Sequence, residues 1–176
     1  VMAVPMTASA TGAEVKIGNT TYSSLSEAFQ NADDGATITV MNNVSVSDRI
    51  IVSNGKSITL DLNGHDVSFD SNKHIQIRYG NLNIVGKGCI YEKHPNISPI
   101  ILYGSATDQA NYSVVTVGKN VTLKGWAGLF IDNNKTAGNY GIVANVYGTL
   151  QGQKDTSGAG GTALYVNGSI IHTKGN

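Results

Sequence analysis

The chain has 176 residues, of which 21 are glycine and only 14% are charged, and equal numbers of acidic and basic residues give a formal net charge of zero. Abundant β-branched residues argue against an all-α fold, and the missing basic excess argues against a nucleic-acid partner. The hydrophobic fraction of 40% is enough to bury a core, the length fits one domain, and no apolar run reaches the roughly 18 residues of a membrane span.

The first ten residues are small, apolar and uncharged, and they end in Ala-Ser-Ala. This ending fits the small-x-small pattern that precedes a signal-peptidase site. We interpret residues 1–10 as the remnant of a secretory signal without its basic start, so that the mature protein begins near Thr11. A short N-terminal strand is the alternative. The signal interpretation predicts a secreted or cell-surface protein.

Residues 24–32 predict a short amphipathic helix. Ser24 and Glu27 have the spacing of a capping box. Apolar residues follow at helical spacing and define a single face: Leu25, Ala28, Phe29 and Ala32. A turn at residues 33–35 ends the helix, and the alternating residues 36–41 predict a strand.

Five copies of one short phrase fill the rest of the chain. Each copy reads apolar-x-apolar, a Gly or Asn corner, apolar-x-apolar and then Gly, at residues 50–64, 75–86, 115–125, 142–152 and 164–175. The corner glycines, at 55, 80, 118, 148 and 168, are 25, 38, 30 and 20 residues apart. Periods of this size indicate a solenoid, and the absence of helical patterns between the phrases excludes βαβ crossovers.

The sequence therefore predicts an all-β fold: a right-handed parallel β-helix, or solenoid, with a short N-terminal capping α-helix. A β-sandwich is the alternative. The N-terminal strand and capping helix occupy residues 11–35, and the rungs occupy residues 36–176, about six of them at 20–25 residues each. The rungs stop without a polar cap, so we expect this chain to be truncated at its C-terminal end, with further domains downstream.

The segments 17–29, 35–40 and 58–64 carry a family resemblance. They resemble the opening of pectin-lyase-like β-helix domains in secreted surface proteins of Gram-positive gut bacteria, which begin with a Y-x-x-L-x-E-A helix, a DG-x-T-I-x-V strand and I-T-L-D-L-N-G rungs. The resemblance covers residues 15–70 and implies this fold and export. It does not fix an activity, because the scaffold hosts lyases, hydrolases, adhesins and host-protein binders. It also implies host glycans or immunoglobulins as expected partners.

An enzyme on this scaffold would need clustered carboxylates. Lyases of this fold hold Ca²⁺ with Asp and Glu and use a Lys or Arg base, and hydrolases need two carboxylates roughly 5–9.5 Å apart. The candidates around one corner are Asp61, Asp66 and Asp70, with solvated corner carboxylates as the alternative interpretation. No acidic pair recurs from rung to rung, and no zinc-binding spacing occurs. Ca²⁺ is therefore expected as a cofactor only if the lyase alternative holds.

Three insertions between the phrases, at residues 94–112, 132–140 and 151–162, are the places where a solenoid would carry binding residues. Aromatic faces stack on sugar rings or anchor protein partners. The candidate binding residues are Tyr91, Lys93, Tyr103, Asp108, Tyr112 and Trp126. The alternative is that these aromatic residues pack against the rungs.

The sequence thus predicts a secreted or cell-surface module that is non-catalytic and binds a polysaccharide, a host glycoprotein or an immunoglobulin, as an adhesin does. A polysaccharide lyase or glycoside hydrolase fragment is the second hypothesis, and a structural stalk is the third. Carboxylates that meet on one face would favour the enzyme hypothesis. Exposed aromatic residues would favour the binding module, and a featureless polar surface would favour the stalk.

Overall fold

The computed structural model describes residues 12–104, 112–132, 141–154, 158 and 161–167. Within these ranges the chain is all-β with one short helix, which is too short to cross a membrane. The predicted signal remnant at residues 1–10 and the predicted corner Gly168 lie outside the described residues.

The helix, α1, spans Leu25–Asn31. The strands, in chain order, are β1 (Val15–Ile17), β2 (Thr20–Tyr22), β3 (Thr37–Val40), β4 (Val44–Val46), β5 (Ile50–Ser53), β6 (Ser57–Asp61), β7 (Val67–Phe69), β8 (Ile75–Arg78), β9 (Gly80–Val85), β10 (Gly88–Glu92), β11 (Ile100–Tyr103), β12 (Ser113–Val117), β13 (Val121–Gly125), β14 (Ala127–Asp132), β15 (Ile142–Val146), β16 (Thr149–Gly152) and β17 (Thr162–Asn167).

The strands form three sheets. The first has the order β15-β12-β9-β6-β3-β1-β2, the second β16-β13-β10-β7-β4 and the third β17-β14-β11-β8-β5. Every pair from β3 onward is parallel, and only the pairs of β1 with β2 and with β3 are antiparallel. Three consecutive strands, which we call a strand triplet, therefore add one strand to each sheet. The predicted all-β class with parallel sheets is confirmed.

The five sequence phrases are not equivalent units, and this part of the prediction was wrong. The phrases at 50–64 and 75–86 cross from the third sheet to the first, whereas those at 115–125 and 142–152 cross from the first to the second. Corners of both kinds join two strands in which apolar residues alternate with other residues, so they have the same local sequence pattern. The described residues contain five strand triplets, and the prediction of about six rungs was made for residues 36–176 as a whole.

The inward residues of neighbouring strands stack in register and form one core. In the second sheet Val44, Val67, Ile90 and Leu123 lie side by side and are buried. Burial alternates along the strands because successive side chains point to opposite faces of a sheet. Each fully buried aliphatic side chain contributes roughly 1.5–3 kcal/mol, so these columns are the main source of stability.

The helix α1 begins as its sequence signals predict. Ser24 is the N-cap, and its Oγ accepts a hydrogen bond of 3.1 Å from the Glu27 N–H. The Glu27 carboxylate accepts from the N–H and hydroxyl of Ser23, at 3.3 and 2.9 Å, one residue earlier than a capping box requires.

The apolar face of α1 is buried, as predicted: Leu25, Ala28, Phe29 and Ala32. The helix contacts β1 and β2 and also β4 and β5, which are the terminal strands of the second and third sheets. It therefore covers apolar surface at the edge where these two sheets begin.

Candidate functional site

Two of the three acidic candidates bind backbone groups at the corners. Asp61 Oδ1 accepts from the Asn63 N–H at 2.9 Å. Asp66 Oδ1 accepts from the Cys89 N–H at 2.8 Å, and the Asp66 N–H donates to Asn43 Oδ1 at 2.9 Å. These two carboxylates accept hydrogen bonds from backbone N–H groups that a turn would otherwise leave unpaired. This is the role expected of solvated corner carboxylates, the alternative to a catalytic or Ca²⁺-binding cluster.

The third candidate, Asp70, forms an ion pair on the outside of the second sheet. Its Oδ1 lies 2.8 Å from Lys93 Nζ and 3.3 Å from Ser45 Oγ. The hydrogen bond from Lys93 lowers the pKa of Asp70, and the same bond raises the pKa of Lys93. In the described part of the chain no three His, Cys, Asp or Glu side chains come together as a metal site.

A different surface, the outer face of the third sheet, collects aromatic and polar side chains in two rows. The strand register places one row at Ile51, Gln76, Ile101, Phe130 and Tyr165, and the other at Ser53, Arg78, Tyr103, Asp132 and Asn167. The residues between the rows, such as Ile77 and Leu102, point into the core. Neighbours in a row are about 4.8 Å apart. In the first row Gln76 and Ile101 are buried, so its accessible surface lies at Ile51 on one side and at Phe130 and Tyr165 on the other. We call the two rows, with Trp126 beside them, the third-sheet face.

Three aromatic rings form the centre of the third-sheet face. The ring centroids of Trp126 and Tyr165 are 5.0 Å apart, and those of Phe130 and Tyr165 are 5.1 Å apart, both in edge-to-face geometry. Tyr165 is 38% exposed, and Trp126 and Phe130 are partly exposed. Such pairs contribute about 0.5–1.5 kcal/mol beyond area burial, so the rings hold one another in place while part of their surface meets solvent.

Arg78 is fixed beside a fourth ring, that of Tyr103, in the other row of the same face. Its guanidinium carbon lies 3.9 Å from the centroid of the Tyr103 ring, and its Nε donates to Gln76 Oε1 at 3.0 Å. Gln76 Nε2 then donates to His74 Nε2 at 3.0 Å, so the His74 ring carries its hydrogen on Nδ1. Burial, and secondarily the charges of Arg49 and Arg78, lower the pKa of His74 to about 4, so it is neutral at neutral pH. Gln76 and His74 are both buried and therefore hold the guanidinium in one position.

The polar row continues beyond Tyr103 with a hydrogen-bonded pair. Asn167 Nδ2 donates to Asp132 Oδ1 at 3.0 Å. Both residues follow Tyr103 in the same row, one strand apart from each other. The third-sheet face thus offers an aromatic surface bordered by a guanidinium, a carboxylate and amide groups. That combination can stack on a ring and hydrogen-bond to its substituents.

The structure brings together only part of the predicted binding set. Tyr103 and Trp126 belong to the third-sheet face. Tyr91 belongs to β10 of the second sheet and Lys93 directly follows that strand, while Tyr112, which is 46% exposed, directly precedes β12 of the first sheet. Asp108 lies outside the described residues.

Sequence reasoning missed Arg78, Phe130 and Tyr165. A constant step of 25 residues relates Ser53, Arg78 and Tyr103, and that step could have placed Arg78 beside Tyr103. The next two steps along the face are 29 and 35 residues, so no fixed period connects Phe130 or Tyr165 to the earlier strands.

No protein-family model matches the chain, and comparisons with curated proteins and with solved structures find no significant match. The resemblance of residues 15–70 to pectin-lyase-like domains therefore remains a hypothesis based on the motifs alone.

Proposed function

We propose that the strand triplets are successive coils of a right-handed parallel β-helix. Each strand from β6 onward pairs in parallel with the strand three positions earlier, in all three sheets, and the inward residues share one core. Crossover connections between parallel strands of one sheet are almost always right-handed, which supports the handedness. The pectin-lyase-like motifs agree with this architecture.

We further propose that the chain is a secreted or cell-surface module that binds glycan, free or on a host glycoprotein, through the third-sheet face. The observation that carries this proposal is the partly exposed group of Trp126, Phe130 and Tyr165, on the same sheet face as the fixed guanidinium of Arg78 over Tyr103. Aromatic rings stack on the apolar faces of sugars, and the neighbouring guanidinium, carboxylate and amide groups can bind sugar hydroxyls. Export is supported by the composition of residues 1–10 and by the family resemblance.

The binding proposal is preferred to the enzyme and stalk hypotheses for specific reasons. Asp61 and Asp66 each accept a backbone N–H through Oδ1, and Asp70 pairs with Lys93, so each carboxylate has a structural partner that accounts for it. A stalk needs no interlocked aromatic group at its surface. The exposed ring surface at Tyr165 therefore favours the binding module.

The test is affinity electrophoresis of the chain in gels that contain plant or mucin polysaccharides. We expect at least one polysaccharide to retard the protein, and we expect Tyr165→Ala to weaken this retardation about tenfold or more, in keeping with aromatic stacking on a ligand. Tyr147→Ala is the matched control, because Tyr147 is 61% exposed but lies between the first and second sheets. Equal retardation of all three proteins, or none by any polysaccharide, would contradict the proposal.

A second arm separates binding from catalysis. The chain is incubated with the same polysaccharides and Ca²⁺, and the mixture is analysed by mass spectrometry. We expect no new oligosaccharides. Products with unsaturated or new reducing ends would instead support the lyase or hydrolase hypothesis and direct attention back to the corner carboxylates.

A further inference from the structure

A carboxylic acid lies in the hydrophobic core of the second sheet. Glu92 is completely buried and stands in register with Phe69 and Val46, both core residues. One oxygen, Oε1, accepts from the His94 N–H at 2.8 Å. The other, Oε2, is buried with no hydrogen-bond partner in the described part of the chain. An acid in such a place is stable when protonated, because the charged form lacks solvation and sufficient donors.

Hydrogen bonds connect this acid to the centre of the third-sheet face. The His94 N–H binds the Glu92 carboxylate, and the Ile97 N–H donates to the His94 carbonyl at 3.4 Å. The Ile97 carbonyl in turn accepts from the Trp126 N–H at 3.0 Å. Residues 93–99, the segment between β10 and β11, therefore connect the Glu92 side chain to the backbone that carries the Trp126 ring.

We infer that Glu92 is a proton switch for the third-sheet face: loss of its proton loosens residues 93–99 and shifts Trp126 from its packed position. The biological consequence, pH-dependent binding, rests on the proposed function. The conformational part of the inference does not, because it concerns Glu92 and Trp126 alone.

Burial, with smaller effects from the groups around Glu92, places this change near neutral pH. The net pKa of Glu92 is about 7: burial is the main cause of the rise and the charge of Asp70 adds to it, while the backbone N–H groups of His94 and Lys93 and the charge of Lys93 oppose it. On the far side, Lys124 of the next strand pairs with Tyr91, and the residue after Lys124 is Gly125, which pairs with Gly152; neither glycine carries a side chain. The carboxyl is thus protonated below about pH 7 and ionised above it.

The effect on folding has a definite sign. The pKa of Glu92 is about 7 in the folded chain against an ordinary value of 4.5. The protonated carboxyl therefore makes its full contribution to the free energy of unfolding below about pH 4.5, and this contribution is lost as the pH rises through about 7. Ionisation opposes the packing around residues 93–99, so the fold loosens in the alkaline direction.

The test uses Trp126, the one tryptophan of the chain, as its own probe. Fluorescence emission is recorded from pH 5.5 to 8.5 without any glycan, and far-UV circular dichroism is recorded in parallel. We expect a red shift of the Trp126 emission with a midpoint within about one unit of pH 7 while the circular dichroism stays constant. Glu92→Gln, which stays neutral and keeps an acceptor for the His94 N–H, is expected to abolish the transition.

A control variant removes the imidazole side chain closest in sequence to Glu92. His94 Nδ1 accepts from the Asn96 N–H at 3.2 Å, within the same segment 93–99. His94→Asn retains an acceptor at that position, and we expect it to keep the transition. If Glu92→Gln fails to fold, Glu92→Leu serves as the second non-titrating variant.

The outcomes decide the inference separately from the proposed function. No fluorescence transition in the unmodified chain, an unchanged transition in the Glu92 variants, its loss in His94→Asn, or a parallel loss of circular dichroism would each overturn the inference. If the transition is found, polysaccharide retardation should be weaker at pH 8.5 than at pH 5.5. Absence of retardation at both pH values would reject the proposed function and leave the fluorescence result standing.

Discussion

Two glycines with nearly the same backbone conformation have very different surroundings. Gly35 has φ +80° and Gly86 has φ +77°, both in the left-handed region that favours glycine. A Cβ added at Gly35 would meet nothing within 4 Å. A Cβ at Gly86 would overlap Asp61 Oδ1 and lie 2.8 Å from the Asn63 nitrogen. Gly86 is therefore required both for its backbone angle and for the space that the Asp61–Asn63 hydrogen bond occupies.

This comparison gives a prediction for a matched pair of variants. Gly35→Ala should lower the free energy of unfolding by about 1 kcal/mol, the usual cost of placing a Cβ at positive φ. Gly86→Ala should cost about 1–3 kcal/mol more, because it also displaces the Asp61 carboxylate. Urea denaturation of the two variants measures the difference. Equal losses would show that the Asp61–Asn63 contact contributes nothing.

The elements of this fold differ in how far the sequence alone could predict them. The helix α1 was predictable because its N-cap and its apolar face lie within nine residues of each other. The alternating strands of the repeated phrases were also predictable, since each shows its pattern within three to six consecutive residues. Their register was not, because the segments between strands of one sheet vary in length. Consequently the placement of Phe130 and Tyr165 on one surface with Arg78 could not be read from spacing.

The first turn of α1 supports a prediction at the scale of this element. Ser24→Ala removes the acceptor of the Glu27 N–H and should cost about 1 kcal/mol of unfolding free energy. Ser24→Asp restores an N-cap acceptor and should recover most of that loss. Chemical denaturation monitored by far-UV circular dichroism measures both variants. A Ser24→Asp protein as unstable as Ser24→Ala would indicate that the Ser23–Glu27 contacts, rather than the N-cap, hold this end of the helix.

At the scale of the whole molecule, the three sheets depend on one shared core, and burial is not uniform along it. The strands β6, β9 and β12 each have a parallel neighbour on both sides and bury their inward residues. In the last described triplet, β15 to β17, each strand has one neighbour among the described residues, and inward positions such as Ile142 and Ala144 are only partly buried. Stability in such stacked arrangements is approximately a sum of contributions from individual repeats and from nearest-neighbour contacts.

Hydrogen exchange should therefore vary along the chain by strand triplet. We expect amides of β6, β9 and β12 to exchange most slowly, at a rate close to that of global unfolding, because opening any of them exposes core on two sides. Amides of β15 to β17 should exchange at least tenfold faster, since fewer apolar contacts resist their opening. Exchange measured by mass spectrometry on proteolytic peptides of the 176-residue chain resolves these groups. Equal protection of β15 and β9 would mean that the sheets unfold as a single cooperative unit and that the partly buried triplet is held by contacts other than its core.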